Sequence, residues 1–296
     1  MNVGEKIRAL RQSKMMTQAE LAGTKITRNM LSCIENGAAQ PSLSTVVYLA
    51  ERLGVPVGFL LAEEREEPFY RKMNRLENIK RALREQDWEG CKRMCLSVSG
   101  EPLDDELCML VARSNLGIAE ETFWQGKLHT ACRYFDEAIA YDRKTLYSQP
   151  MIEAVAAVYF RFMRRISPTL FSENADDEGA AEMVLKTPFS AYTDALEALD
   201  RGDISLAERF SDEFPQPSFF ATHLRAKVEL TRGKNETAKQ LLQGLLDSPD
   251  TLLNEVQLYE VLTDLEIACR ETEDYKGAYR YANERVQLQE QLLKDG

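Results

Sequence analysis

Apolar residues recur at helical spacing along almost the whole 296-residue chain, and Gly and Pro fall mainly between those stretches. No sustained period-two alternation interrupts them. That pattern constrains the chain to an all-α fold. At about 100–200 residues per domain, the length allows two domains. No apolar run reaches the roughly 18 residues that a membrane-spanning helix requires, so no membrane partner is expected. The N-terminal stretch is charged throughout and lacks the apolar segment of a signal peptide. Six scattered cysteines read as free thiols in a reducing, cytoplasmic setting.

Net charge is −11, which at first argues against nucleic acid, but the charge is unevenly spread. Residues 1–63 carry +2 and the remainder −13. A mildly basic head on an acidic body suits a protein that touches DNA with one end only. A short charged run, residues 63–67 followed by Pro68, marks a joint. The expected domains are therefore 1–63 and 69–296.

The head reads as five short helices. Val3, Ile7 and Leu10 share a face of the first. Thr17 with Glu20 forms a capping box for the second, which carries Leu21 and Ala22. Thr27 caps a third helix, Arg28 to Glu35, closed by Asn36-Gly37. Pro41-Ser42 starts a fourth, with Leu43, Val46, Val47, Ala50 and Leu53 as its apolar face. Val57 to Leu61 forms the fifth.

The order and spacing of Gln18-Ala19-Glu20-Leu21-Ala22, Ile34-Glu35-Asn36-Gly37, Pro41-Ser42 and Leu53-Gly54-Val55 resemble the helix-turn-helix domain of lambda and 434 phage repressors. The turn Gly23-Thr24-Lys25-Ile26 is one residue shorter than the common pattern. The resemblance implies that Arg28, Asn29, Ser32 and Cys33 of the third helix face the major groove, with Thr27, at the helix start, also expected at the DNA. Helical spacing agrees, since Leu31 and Ile34 point inward, and Met30 is expected to be at least half-buried. Arg pairs bidentately with guanine and Asn with adenine. Gln18, at the start of the second helix, is placed to hold a phosphate. Arg11 and Glu35 look like the ion pair that ties the first helix to the third.

The body carries a weaker, recurring punctuation: a turn followed by a small anchor at Cys91, Ala131, Ala207, Ala238 and Ala278, spaced by 40, 76, 31 and 40. The long gap fits two units, with a turn near Ser167-Pro168. This series resembles tetratricopeptide repeats, helix–turn–helix units of about 34 residues that stack into a right-handed α-solenoid. The last helix, about Tyr275 to Leu293, is expected to contribute to a homodimer.

A repressor-type head on such a body resembles the peptide-pheromone receptor transcription factors of Gram-positive bacteria. The resemblance implies a homodimer on a near-palindromic double-stranded operator, with a short signalling peptide in the concave groove. Counting back from the anchors, the inner helices present Arg113, Glu120 and Phe123; Phe220, His223 and Lys227; and Thr263 and Arg270. Tyr159 and Arg161 are added from the middle helix. The alternative is a DNA-binding interaction protein whose repeats hold a protein partner or only dimerise. No catalytic constellation is evident and no cofactor is expected. Cys91 and Cys95 share a helix face but make half a metal site at most.

Overall fold

The computed structural model describes residues 2–62, 67–98, 103–170, 187–214, 218–248 and 252–294. Among them lie sixteen helices and no strand. The head holds α1 (Val3–Ser13), α2 (Gln18–Ala22), α3 (Arg28–Glu35), α4 (Leu43–Leu53) and α5 (Val57–Leu61). There follow α6 (Glu67–Arg84), α7 (Trp88–Val98), α8 (Asp105–Trp124), α9 (Leu128–Asp142), α10 (Pro150–Ile166), α11 (Pro188–Asp200), α12 (Ile204–Glu213), α13 (Phe219–Thr231), α14 (Asn235–Asp247), α15 (Glu255–Glu271) and α16 (Tyr275–Leu292). None of the described helices is long and apolar enough to cross a membrane.

The chain divides into two compact units, Met1–Leu107 and Cys108–Gly296. Of the expected joint, 63–67 with Pro68, residues 63–66 lie outside the described residues and Glu67 and Pro68 open α6; the first unit runs on past it to take in α6 and α7.

The head is built as the side chains dictate. Asn2 and Thr17 each form a reciprocal capping box, with Glu5 and Glu20 respectively. Thr27 and Ser42 cap α3 and α4 by accepting from the backbone N–H of Met30 and Thr45. Ile7, Leu21, Leu31, Ile34, Leu49, Leu53 and Leu60 fill one core. Burial of each is worth about 1.5–3 kcal/mol. On α4, Val46, Ala50 and Leu53 are buried as expected and Val47 is half-buried, whereas Leu43, in the first turn, is exposed and Leu49 joins the core. The approach of α1 to α3 depends on Gly4, where a Cβ would lie 2.0 Å from the Ile34 carbonyl oxygen.

Five hairpins beyond the head share one turn. Gln86, Gly126, Gly202, Gly233 and Glu273 all have positive φ, from 60° to 82°, and each stands five residues before an anchor. In each, the next residue's N–H reaches back across the turn: Asp87 to the Ala82 carbonyl, Lys127 to Thr122, Asp203 to Ala198, Lys234 to Glu229 and Asp274 to Cys269, at 2.8–2.9 Å. This is the Schellman closure, which satisfies the helix-end carbonyls and reverses the chain. Cys91, Ala131, Ala207 and Ala238 are fully buried, as close packing of paired helices requires, and Ala278 is half-buried. α10 ends at Ser167, the expected turn. The second helix expected there falls in 171–186, outside the described residues.

The second unit is held by a continuous apolar core running from Ala119 to Leu292. Aromatic rings form its middle: Phe123 packs edge-on to Trp124, Tyr159 and Phe162 with centroids 4.8–5.8 Å apart.

The turns generate a paired test. At Gly126 the φ of +76° is strained for any other residue, and a Cβ would lie 2.2 Å from Glu255 Oε2. Gly126→Ala should cost about 1–3 kcal/mol in urea unfolding of the full chain. Glu273→Gly relieves a left-handed non-glycine residue worth about 1–2 kcal/mol and gives part of that back as unfolded-chain entropy. It should leave stability unchanged or raise it by up to about 1 kcal/mol.

Candidate functional site

The outward side of α3 is the first feature to build. Thr27 spends its hydroxyl on the helix start, accepting from Met30 N–H at 3.1 Å. That fixes the direction in which the first turn leaves the loop. Leu31 and Ile34 are locked in the core, so Arg28, Asn29 and Cys33 stand exposed and Ser32 half-buried. Met30 is 42% exposed, against the inward placement expected of it. The head core reaches α3 through Leu31 and Ile34 and leaves nothing for Met30 to cover. The exposed side of α3 therefore offers a guanidinium, an amide, a thiol and a thioether side chain. The first two match guanine and adenine edges, and an apolar group matches a thymine methyl.

Behind that face lies an ionic clasp. Arg11 Nε donates to Glu35 Oε1 at 2.6 Å and Nη2 to Oε2 at 3.0 Å, while Nη1 donates to the Met16 carbonyl at 2.9 Å. The Glu35 side chain is 1% exposed and Arg11 12%, so this expected pair is buried and bidentate rather than superficial. Gln18 Nε2 also donates to Glu35 Oε2, at 2.9 Å. Gln18 is half-buried and holds α2 to α3 through that bond. Burial pushes the Glu35 carboxyl up, but hydrogen bonds from Arg11 and Gln18 and the nearby positive charge outweigh it and hold it below its ordinary range. Lys6, counted with the basic head, is also internal and donates to the Ala62 carbonyl at 2.8 Å.

In the second unit the residues assigned to a groove separate. Phe123 is fully buried among Trp124, Tyr159, Phe162 and Phe189, because four neighbouring rings give it more than solvent contact would. His223 is also fully buried, stacked on Phe219, with Nδ1 2.9 Å from the Tyr192 hydroxyl and Nε2 3.2 Å from Asp264 Oδ2. Lys227 donates to both oxygens of Asp264 at 2.9 and 3.1 Å. So His223 and Lys227 are brought together, but by a buried carboxylate and not at an open surface. Burial pushes the Asp264 carboxyl up; the Lys227 charge and the His223 contact pull it further down, below the usual carboxylate range. Arg113 and Arg270 stand exposed. Arg161 bridges Asp194 and Glu197 at 3.0 and 2.9 Å.

Glu120, Tyr159 and Phe220 are the assigned residues that line a common cavity. About 210 Å³ opens between α8, α10, the start of α11, and α13. Trp124, Tyr159, Phe189 and Phe220 wall it, and the Tyr159 hydroxyl donates to Glu120 Oε1 at 3.1 Å. Trp124, Phe189, Tyr192 and Asp264 went unassigned in the sequence. Cys91 and Cys95 are fully buried, and hydrogen bonding with Cys91 and burial push the Cys95 thiol up.

A helix-turn-helix family profile matches residues 7–60. The immunity repressor protein of Bacillus phage phi105 is 30% identical over 145 residues, covering 45% of this chain and 96% of the repressor. This chain belongs to the repressor-type helix-turn-helix DNA-binding regulators. The aligned length exceeds the head alone. Two solved structures are similar at low identity. One is PlcR of Bacillus thuringiensis in complex with the peptide PapR7 and DNA, at 13% identity and TM-score 0.24 over 98% of both chains. The other is the apo competence regulator ComR of Streptococcus vestibularis, at 16% identity and TM-score 0.24 over 88% of this chain and 97% of that one. Such TM-scores fix no geometry. This regulator's relatives are transcriptional regulators, a class without enzymatic activity.

In this regulator the Arg11–Glu35 clasp sets how α3 stands on α1. Arg11→Ala strands a buried carboxylate, and at neutral pH the full chain should lose about 3–5 kcal/mol of head stability. Glu35's folded value is depressed, so its contribution is present above the unfolded carboxyl value of about 4.3 and is lost as pH falls through the folded one. The gap in denaturant midpoint between wild type and Arg11→Ala should therefore narrow on acidification. A gap constant between pH 7 and pH 3 would refute the electrostatic account.

Proposed function

We propose that the chain is a cytoplasmic, sequence-specific transcriptional regulator that binds a near-palindromic operator as a homodimer and senses a short peptide through its helical repeats. Residues 1–63 are the DNA-reading piece and 69–296 the repeat piece. The observation that carries the DNA half is the outward side of α3, where Arg28 and Asn29 stand clear while Leu31 and Ile34 anchor the helix from behind. Arg28, Asn29, Ser32 and Cys33 are assigned to base edges, Thr27 to the helix start beside the phosphates. Gln18 is assigned to phosphate through whatever bonding capacity its contact with Glu35 leaves. The test is competition between operator and random DNA. Arg28→Ala should cost about 1–3 kcal/mol on the operator and relax the preference at one base pair. Unchanged discrimination would remove Arg28 from the reading set.

Assembly is argued from α16. Tyr281, Leu288 and Leu292 are buried within their own unit and so are not available to a second copy. The other side carries Tyr275, Tyr279 and Val286, exposed by 67%, 71% and 44%. A two-fold operator calls for a two-fold protein, and this stripe suits a second copy of α16. For the peptide half, support comes from the aromatic cavity beside Glu120; tetratricopeptide-type stacking is supported by the repeated Schellman turns. Light scattering should give a dimer for the wild type and a monomer for Tyr279→Glu. Calorimetry with short synthetic peptides should show heat of binding; no binding by any peptide, with DNA affinity that answers to a protein partner, would favour the interaction-protein reading.

A further inference from the structure

Glu120 is placed where a carboxylate is expensive. It is half-buried on α8, and its hydrogen bond comes from the Tyr159 hydroxyl. Among the described residues, no Lys, Arg or His side chain lies within salt-bridge distance of it. Elsewhere in the same unit three inner-helix carboxylates are matched: Asp264 by Lys227, and Asp194 and Glu197 by Arg161. Burial pushes the Glu120 carboxyl above its ordinary range, and the Tyr159 bond only partly opposes it. As a charge, an uncompensated carboxylate in an apolar wall costs free energy, which either a proton or an arriving cation relieves.

The walls fit that arrival. Trp124 and Phe189 meet at 5.0 Å and 72°, and Tyr159 and Phe189 at 4.7 Å and 38°. Phe220 closes another side, 6.4 Å from Phe189. Four rings inclined to one another beside a carboxylate form the kind of enclosure that attracts a cation through ring quadrupoles. At about 210 Å³ the space is smaller than the roughly 300–1,000 Å³ of a whole-ligand site. It holds one end group and not an entire molecule.

We propose that this cavity binds an ammonium group, with Glu120 as its counter-ion and the rings of Trp124, Tyr159, Phe189 and Phe220 as its walls. On the peptide-sensing reading, on which the identity of the natural ligand rests, the group is the peptide's N-terminus or a lysine side chain. The cavity thereby sets which peptides are accepted: those that bring a positive charge to this point.

The probes are n-butylammonium chloride and n-butanol, which share a carbon chain and differ in charge. Trp124 fluorescence is read in full-length Trp88→Phe protein, which has no other tryptophan. Butylammonium should perturb it saturably and butanol far more weakly. Glu120→Gln keeps the shape and the acceptor for Tyr159 while removing the charge. It should weaken butylammonium by about tenfold or more, a step of ~1.4 kcal/mol, and leave butanol unaltered. Phe220→Leu, which keeps the wall apolar, should weaken the ammonium alone. Equal response to both probes, or a Glu120→Gln chain that binds butylammonium as the wild type does, overturns the proposal. Glu120-dependent ammonium binding with no binding of any short peptide upholds the cavity's chemistry and sinks peptide sensing. Peptides that bind without competing with butylammonium uphold peptide sensing and overturn this role for the cavity.

Discussion

The helical hairpin turn is the constraint on which most of the chain depends. Each of the five turns places one residue in the left-handed region and then, five positions on, a small side chain at the crossing of two helices. The two requirements are linked. The Schellman closure reverses the chain within a few residues, so the paired helices meet at once, and only a small anchor lets their backbones lie close. Two turns meet the first requirement with Gln86 and Glu273 in place of glycine. There the geometry is imposed by the packing of the flanking helices, which outweighs a local cost of about 1–2 kcal/mol.

Charge is used as internal structure in both units. In the head, Lys6 and Arg11 point inward to backbone carbonyls and a buried carboxylate. In the second unit, Tyr192, His223, Asp264 and Lys227 link α11, α13 and α15 through one polar chain. Such networks add little net stability over apolar replacements, but breaking one partner leaves a buried charge alone. They therefore fix which helix faces meet.

The five head helices, the caps of α2, α3 and α4 and the outward side of α3 were legible because each rests on local signals: a capping residue, a period, a glycine; the Asn2 cap of α1 was not read. The Arg11–Glu35 pair was legible only through resemblance, and its burial was not. In the body, glycines at 126, 202 and 233 announced turns, while Gln86 and Glu273 gave no such sign. The groove assignment fails in particular ways. Counting back at a fixed interval treats every inner helix as presenting the same face. Phe123 is instead drawn into a ring cluster that, beside its neighbour Trp124, takes Tyr159, Phe162 and Phe189 from α10 and α11, far along the chain. On α15 the count selects Thr263, whereas its neighbour Asp264 turns inward to meet His223 and Lys227. One residue is about 100° of helix, and no spacing rule in a degenerate repeat resolves that. Met30 fails for the opposite reason, since an apolar residue beside the core residue Leu31 carries no mark of being outside the core.

The inward cations also bear on how much charge a single head can bring to DNA. Of the seven basic residues in 1–63, Lys6 and Arg11 are committed internally. Arg52 donates to the Glu20 carbonyl, and Lys25 lies over the Tyr48 ring at 5.1 Å. The charge left to displace counterions is smaller than the composition suggests, and counterion release scales with the number of phosphates neutralised. The acidic remainder of the chain, at −13, works against approach to the same phosphates. Base reading by Arg28 and Asn29, as proposed above, would add specificity but would not replace that missing electrostatic term. Two heads on one operator double both terms while the linkage between protomers makes the second encounter intramolecular. On the proposed dimer, anything that alters how the repeat bodies hold the heads apart changes that second encounter, and operator affinity with it, without touching a DNA contact.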